Sequence, residues 1–155
     1  MTQETRKFED WLDYARKAKR VALLAHISPD GDTLGSTLAL RLAFLAMGKQ
    51  VDVICDGEVP DNLKFLTGSE TIRHPEDVDA SDYDTAIAVD VSDRSLLGKS
   101  ETVFDTAPVR MVIDHHATNP AYGQVNFIRG GESACCLLAY EAICALGVEL
   151  TKEIG

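Results

Sequence analysis

Apolar residues recur along this chain in two rhythms, helix-spaced segments and short unbroken runs, and their alternation outlines an α/β fold. Residues 5–19 set Phe8, Leu12 and Ala15 on one helical face with Trp11 and Ala18 beside it, and Lys17, Lys19 and Arg20 gather in the last turn. That pattern predicts an amphipathic opening helix whose C-terminal cations suit its dipole. VALLAH, residues 21–26, is a strand-sized apolar run ending in a histidine. Helical spacing returns over 34–47 until Gly48 stops it, and further strands are predicted at 49–55, 85–90 and 109–116. A last helix is predicted over 132–146, closed by Gly147, after which VELTKEIG begins a new segment.

Strands that are apolar throughout and alternate with helices pack as a parallel sheet covered on both faces. Sheets of that kind collect ligands beyond the carboxyl ends of their strands. Three of the predicted strands end in polar chemistry at that edge: His26, Asp90 and Asp114-His115-His116. A length of 155 residues suits one domain with its own core, and the chain holds no repeat, linker or low-complexity tract.

Composition narrows the partners. Fifteen basic residues against twenty-five acidic ones give a net charge of −10, which opposes the Lys/Arg contacts to phosphates that binding to long duplex DNA rests on. A small anionic substrate remains compatible, because bound divalent cations concentrate positive charge where a phosphate would sit. No window reaches the roughly 18 consecutive apolar residues of a membrane span, and the first twenty residues lack the apolar core of a signal peptide. The expectation is therefore a cytoplasmic protein with no membrane partner. Cys55, Cys135, Cys136 and Cys144 form no C-x-x-C pair and read as small buried side chains.

The loop after the first strand, His26-Ile27-Ser28-Pro29-Asp30-Gly31-Asp32, brings together one imidazole and two carboxylates, with Pro29 and Gly31 shaping the turn. Mixed nitrogen and oxygen donors suit Mn²⁺, Fe²⁺, Co²⁺ or Zn²⁺ better than Ca²⁺. Gly35 and Ser36 are expected in the first turn of the following helix, where free N–H groups can hold a phosphate oxygen. Asp90 has no basic residue near it in sequence until Arg94, so burial there calls for a cation, and a bridge between two metals would supply it. In Asp114-His115-His116, strand alternation predicts that at most one histidine shares a direction with Asp114. Two metal ions activate water for in-line attack on phosphorus, and His116, where it is not a ligand, could bind a phosphoryl oxygen or protonate the leaving group. Three of the four histidines fall beside carboxylates at two strand ends, whereas His74, Asp52, Asp56, Asp82 and Glu141 read as ordinary structural residues.

The series His26-x-x-Pro29-Asp30-Gly31-Asp32-x-x-Gly35-Ser36, then Asp90, then Asp114-His115-His116 with Asn119, resembles the DHH phosphoesterases, and within them the nanoRNase and nucleotide-phosphatase branch. The resemblance implies one Mn²⁺ on His26, Asp30 and Asp90 and a second on Asp32, Asp90 and His115. It implies that His116 faces the substrate phosphate, that Asp114 supports the histidines, and that Arg94, Asn119 and Ser133 lie near the site with Ser36. It further implies a metal-dependent 3′-5′ exonuclease of very short single-stranded RNA, acting also on 3′-phosphoadenosine 5′-phosphate or dinucleotides. Relatives of this kind continue into a further Asp ligand and a C-terminal substrate-binding domain, so residues 1–155 read as the N-terminal catalytic portion. A manganese inorganic pyrophosphatase, and a nucleotide-binding regulatory module without catalysis, stay open as alternatives, as does a homodimer.

Overall fold

Five parallel strands form the frame in the computed structural model, which describes residues 2–149. Along the chain run α1 (Gln3–Lys17), β1 (Arg20–Leu24), α2 (Gly31–Ala46), β2 (Gln50–Ile54), β3 (Thr85–Val89), α3 (Glu101–Thr106), β4 (Val109–Asp114), β5 (Val125–Ile128) and α4 (Cys135–Ala145). The strand order is β2-β1-β3-β4-β5 with every pair parallel. The chain therefore leaves β1 toward β2 on one side and returns to β3 on the other. In open α/β sheets this reversal opens a crevice at the carboxyl ends of the two central strands, the usual place for a ligand.

Period-two alternation divides the core. Val21, Leu23, Ile87, Val89, Met111 and Ile113 pack under α1, α2 and α4, while Ala22, Leu24, Ala86, Ala88 and Val112 face α3 and its flanking loops. Both faces are covered, as the unbroken apolar strands predict. Trp11 is fully buried, and its indole N–H donates to the Val112 carbonyl at 3.1 Å, so its polar edge is satisfied.

Several boundaries differ from those read in the sequence. α1 stops at Lys17, with Ala18 as its C-cap, so Lys19 lies beyond it and Arg20 opens β1. α2 begins at Gly31, three residues early, because Asp30 caps it by accepting the Thr33 N–H at 2.9 Å. β5 and α3 escape the sequence reading because each is too short, at four and six residues, to show a period. Residues 55–84 connect β2 to β3 through 3₁₀ turns at Asp61–Leu63, Ser69–Thr71, Pro75–Asp77 and Ala80–Asp82 instead of a helix. Cys136 and Cys144 are exposed, two turns apart on the outer side of α4, and only Cys55 and Cys135 are buried.

The end of the sheet away from the strand tips gathers helix C-termini. Gly147, at φ 82°, ends α4 with its N–H on the Cys144 carbonyl and the Val148 N–H on Ile143, and Gly48 closes α2 in the same way. Lys49 Nζ donates to the Arg16 and Ala18 carbonyls, and Arg16 reaches Ala145 O at 3.3 Å. These cations offset the negative ends of α1 and α4. Among the described residues no helix is long and apolar enough to cross a membrane.

Candidate metal centre

At the tip of β3 the backbone turns left-handed: Asp90 has φ 63°, and its N–H donates to the Ile113 carbonyl at 3.0 Å. Asp tolerates that conformation better than most residues, yet it is uncommon and gathers at functional sites. The turn directs the carboxylate inward, where it is 6% exposed and Oδ1 has no hydrogen-bond donor. His115 Nε2 lies 3.2 Å from that oxygen. The other ring nitrogen of His115, Nδ1, lies 3.0 Å from the Glu132 carbonyl, which can only accept, so the neutral ring carries its proton on Nδ1. Nε2 and Asp90 Oδ1 thus present lone pairs to each other. A proton or a metal ion is needed between them.

β4 ends at Asp114, and with it the pleat ends too. Both histidines therefore reach the same pocket, their ring centroids 4.3 Å apart, which corrects the expectation from strand alternation. Asp114 is fully buried and takes two donors, His116 Nδ1 at 2.7 Å and Asn119 Nδ2 at 2.8 Å. Metal-capable atoms of Asp90, Asp114, His115 and His116 all fall within 4.8 Å of one another.

The loop after β1 approaches from the other side. Asp32, in the first turn of α2, accepts the N–H groups of Cys135 and Cys136, one on each oxygen at 2.9 Å. It caps α4 across more than a hundred residues, since Ala134 at that helix's own N-cap has no side chain to do so. The same carboxylate lies 3.5 Å from His115 Nε2. Asp30 is occupied with the α2 cap, and His26 Nδ1 accepts the Ser28 N–H at 2.9 Å. Asp32, Asp90 and His115 are thus brought together, while His26 and Asp30 face local backbone donors.

The remaining candidates differ in where they lie. Ser36 is fully buried in the second turn of α2, where backbone N–H groups are already bonded within the helix, so it offers no free amide to a phosphate. Arg94 is engaged by Glu101 at 3.3 Å and by Asp105. Asn119 serves Asp114 and donates to Val91 O, and Ser133 is exposed on the loop before α4. Sequence reading missed the Glu132 carbonyl and the two α4 amides, because backbone partners leave no mark in residue identity. His74 Nε2 lies 3.4 Å from Glu58, Asp52 accepts the Tyr83 hydroxyl and Glu141 binds Arg129.

Burial pushes the Asp90 carboxyl up to about 8, with Asp32 adding to the rise, His115 opposing it, and Asp114 and Asp30 adding further. Burial works against a charge on His115, but the Glu132 carbonyl, Asp90, Asp32 and Asp114 outweigh it and raise its pKa. An orphaned carboxylate oxygen facing an imidazole lone pair, with a second carboxylate at hand, fits a divalent cation.

A pH dependence follows. Between the ordinary carboxylate pKa and about 8, the folded chain keeps a proton on Asp90 that the unfolded chain releases, so stability falls as pH rises. The raised His115 acts in the same sense, its contribution being lost as pH climbs past its folded pKa. A divalent ion bound there would replace the proton. The expected outcome is a lower melting temperature at about pH 8 than at about pH 6 without metal, and a larger rise on adding Mn²⁺ at the higher pH. Equal rises in thermal melts at the two pH values would count against a cation at Asp90.

Residues 20–154 match the family described as DHH family, N-terminal domain. The chain is 32% identical over 136 residues to the bifunctional oligoribonuclease and PAP phosphatase NrnA of Thermus thermophilus, covering 87% of this chain and 40% of that one. Its fold is similar to the crystal structure of an exopolyphosphatase-related protein from Bacteroides fragilis, with a TM-score of 0.85 and 22% identity, over 95% of this chain and 46% of that one. The chain spans less than half the length of either.

Proposed function

The chain belongs to the DHH family, and from that premise we propose that it forms the catalytic part of a Mn²⁺-dependent phosphoesterase acting on short single-stranded RNA and on small nucleotides such as 3′-phosphoadenosine 5′-phosphate. The observation that carries the proposal is the unsatisfied Asp90 Oδ1 facing His115 Nε2 at the carboxyl ends of β3 and β4. The Thermus thermophilus relative, an oligoribonuclease and PAP phosphatase by name, supports the substrate class. Because the chain spans 40% of that relative, the activity is proposed for a protein containing these 155 residues, and the test separates it from turnover by the 155 residues alone.

His26, Asp30 and Asp90 would hold one ion and Asp32, Asp90 and His115 the other, with Asp90 common to both. Bound there, divalent cations supply charge to neutralise phosphoryl oxygens and a nucleophile at neutral pH. Glu132 O fixes His115 with its Nε2 lone pair toward Asp90 and Asp32. Asp114 anchors His116 through Nδ1 and leaves Nε2 to the substrate. As water attacks phosphorus and the ester P–O bond breaks, His116 gives a proton to the departing oxygen. Asn119 holds Asp114 from its other oxygen, acting as a positioning residue.

The test is hydrolysis of a diribonucleotide and of 3′-phosphoadenosine 5′-phosphate with Mn²⁺, by this chain and by a longer polypeptide containing it. Release of mononucleotide or phosphate that a chelator abolishes is the expected result. Hydrolysis confined to inorganic pyrophosphate would replace the proposal with a pyrophosphatase, and nucleotide binding without Mn²⁺-stimulated turnover would replace it with a regulatory module.

A further inference from the structure

Residues 57–72 are built flush against the ligand loop. A Cβ on Gly57 would come 2.2 Å from the Ile27 carbonyl and 3.3 Å from Pro29, so only glycine allows that approach, and Leu63 Cδ2 lies 3.9 Å from the Cβ position of Gly31. Val59, Leu63, Leu66 and Ile72 pack over Ala25, Leu34 and Cys55. The segment is braced internally by the Leu66 N–H on the Leu63 carbonyl and by Ser69 Oγ on the Lys64 carbonyl at 2.8 Å. It forms a fixed wall beside Asp30 and Gly31.

Phe65 sits between Leu63 and Leu66, which both pack inward, and its own side is left 77% exposed, the most exposed large apolar residue described. Two residues of chain, at most about 7 Å, separate it from the leucine that touches the ligand loop. An open aromatic face two residues from the leucine that touches the Asp30–Gly31 loop offers what proteins use to hold unpaired bases, since every base has a face that stacks. We propose that Phe65 is a substrate-binding residue that stacks on the nucleobase next to the phosphate being cleaved, giving the site a preference for nucleotides over base-free phosphates. This rests on the hydrolase reading above and sharpens its substrate class.

The test compares AMP with ribose 5-phosphate, by calorimetry in Mn²⁺, on the unmodified chain, Phe65→Ala and Phe65→Trp. The unmodified chain is expected to favour AMP. Phe65→Ala is expected to lose about 5- to 150-fold in AMP affinity while ribose 5-phosphate and Mn²⁺ binding stay unchanged. Phe65→Trp is expected to restore AMP binding, with its fluorescence quenched on titration. Equal affinities in the unmodified chain, or an AMP affinity indifferent to Phe65→Ala, overturns the inference and leaves the hydrolase reading standing. A change from dimer to monomer on Phe65→Ala, with AMP binding intact, overturns it in favour of a self-association face. Mn²⁺ binding with no affinity for either phosphate overturns both.

Discussion

Asp90→Asn is expected to lower Mn²⁺ affinity by at least about 100-fold and hydrolysis by about 1,000-fold, while the fold survives. Asparagine keeps the shape and accepts the left-handed backbone that Asp90 adopts, so the β3 tip need not rearrange. The substitution removes only the charge. Because that charge is buried beside Asp32 and Asp114, the metal-free variant is expected to melt higher than the parent at about pH 8, where the parent carries the cost of ionising Asp90. Calorimetric Mn²⁺ titration and thermal melts of both proteins check the pair of effects. A variant that binds Mn²⁺ as well as the parent would remove Asp90 from the centre.

His116→Ala is expected to separate chemistry from metal binding. The ring is half-exposed, held by Asp114 rather than by the Asp90–His115 pair, and its loss takes away a proton donor without taking away Asp32, Asp90 or His115. Turnover is expected to fall by about 100- to 10,000-fold with Mn²⁺ affinity within a few-fold of the parent. Asp114→Asn is expected to fall in the same range, because an amide facing Nδ1 can hold the ring in the wrong tautomer. Single-turnover rates beside metal titrations distinguish the outcomes: a parallel loss of metal binding in His116→Ala would make that residue a ligand.

Much of this is legible in the amino-acid sequence. The parallel sheet was written in runs such as VALLA and AIAV, apolar at every position because both faces are covered. Asp90 announced itself as a carboxylate at the end of such a run with no cation nearby. What stayed hidden depends on distance along the chain or on backbone atoms. VNFI is too short to declare a strand until Met111 to Asp114 are seen pairing with it. Arg94 read as a residue near the site, but Glu101 and Asp105, seven and eleven residues ahead, claim it. Ser36 looked like a phosphate-binding residue only while the helix was thought to start at residue 34, and the Asp30 cap moved that start and buried the hydroxyl.

Asp32 spans the longest of these separations, with one foot in the proposed ion site and the other on the last helix. Its two oxygens take the first two amides of α4 while one of them faces His115. Few replacements could satisfy both duties: asparagine keeps an acceptor for the helix but gives up the charge an ion wants, and glutamate keeps the charge but overshoots the amides by a methylene. The position is therefore held from two directions, and drift at residue 32 that loosened the ion would also loosen the helix.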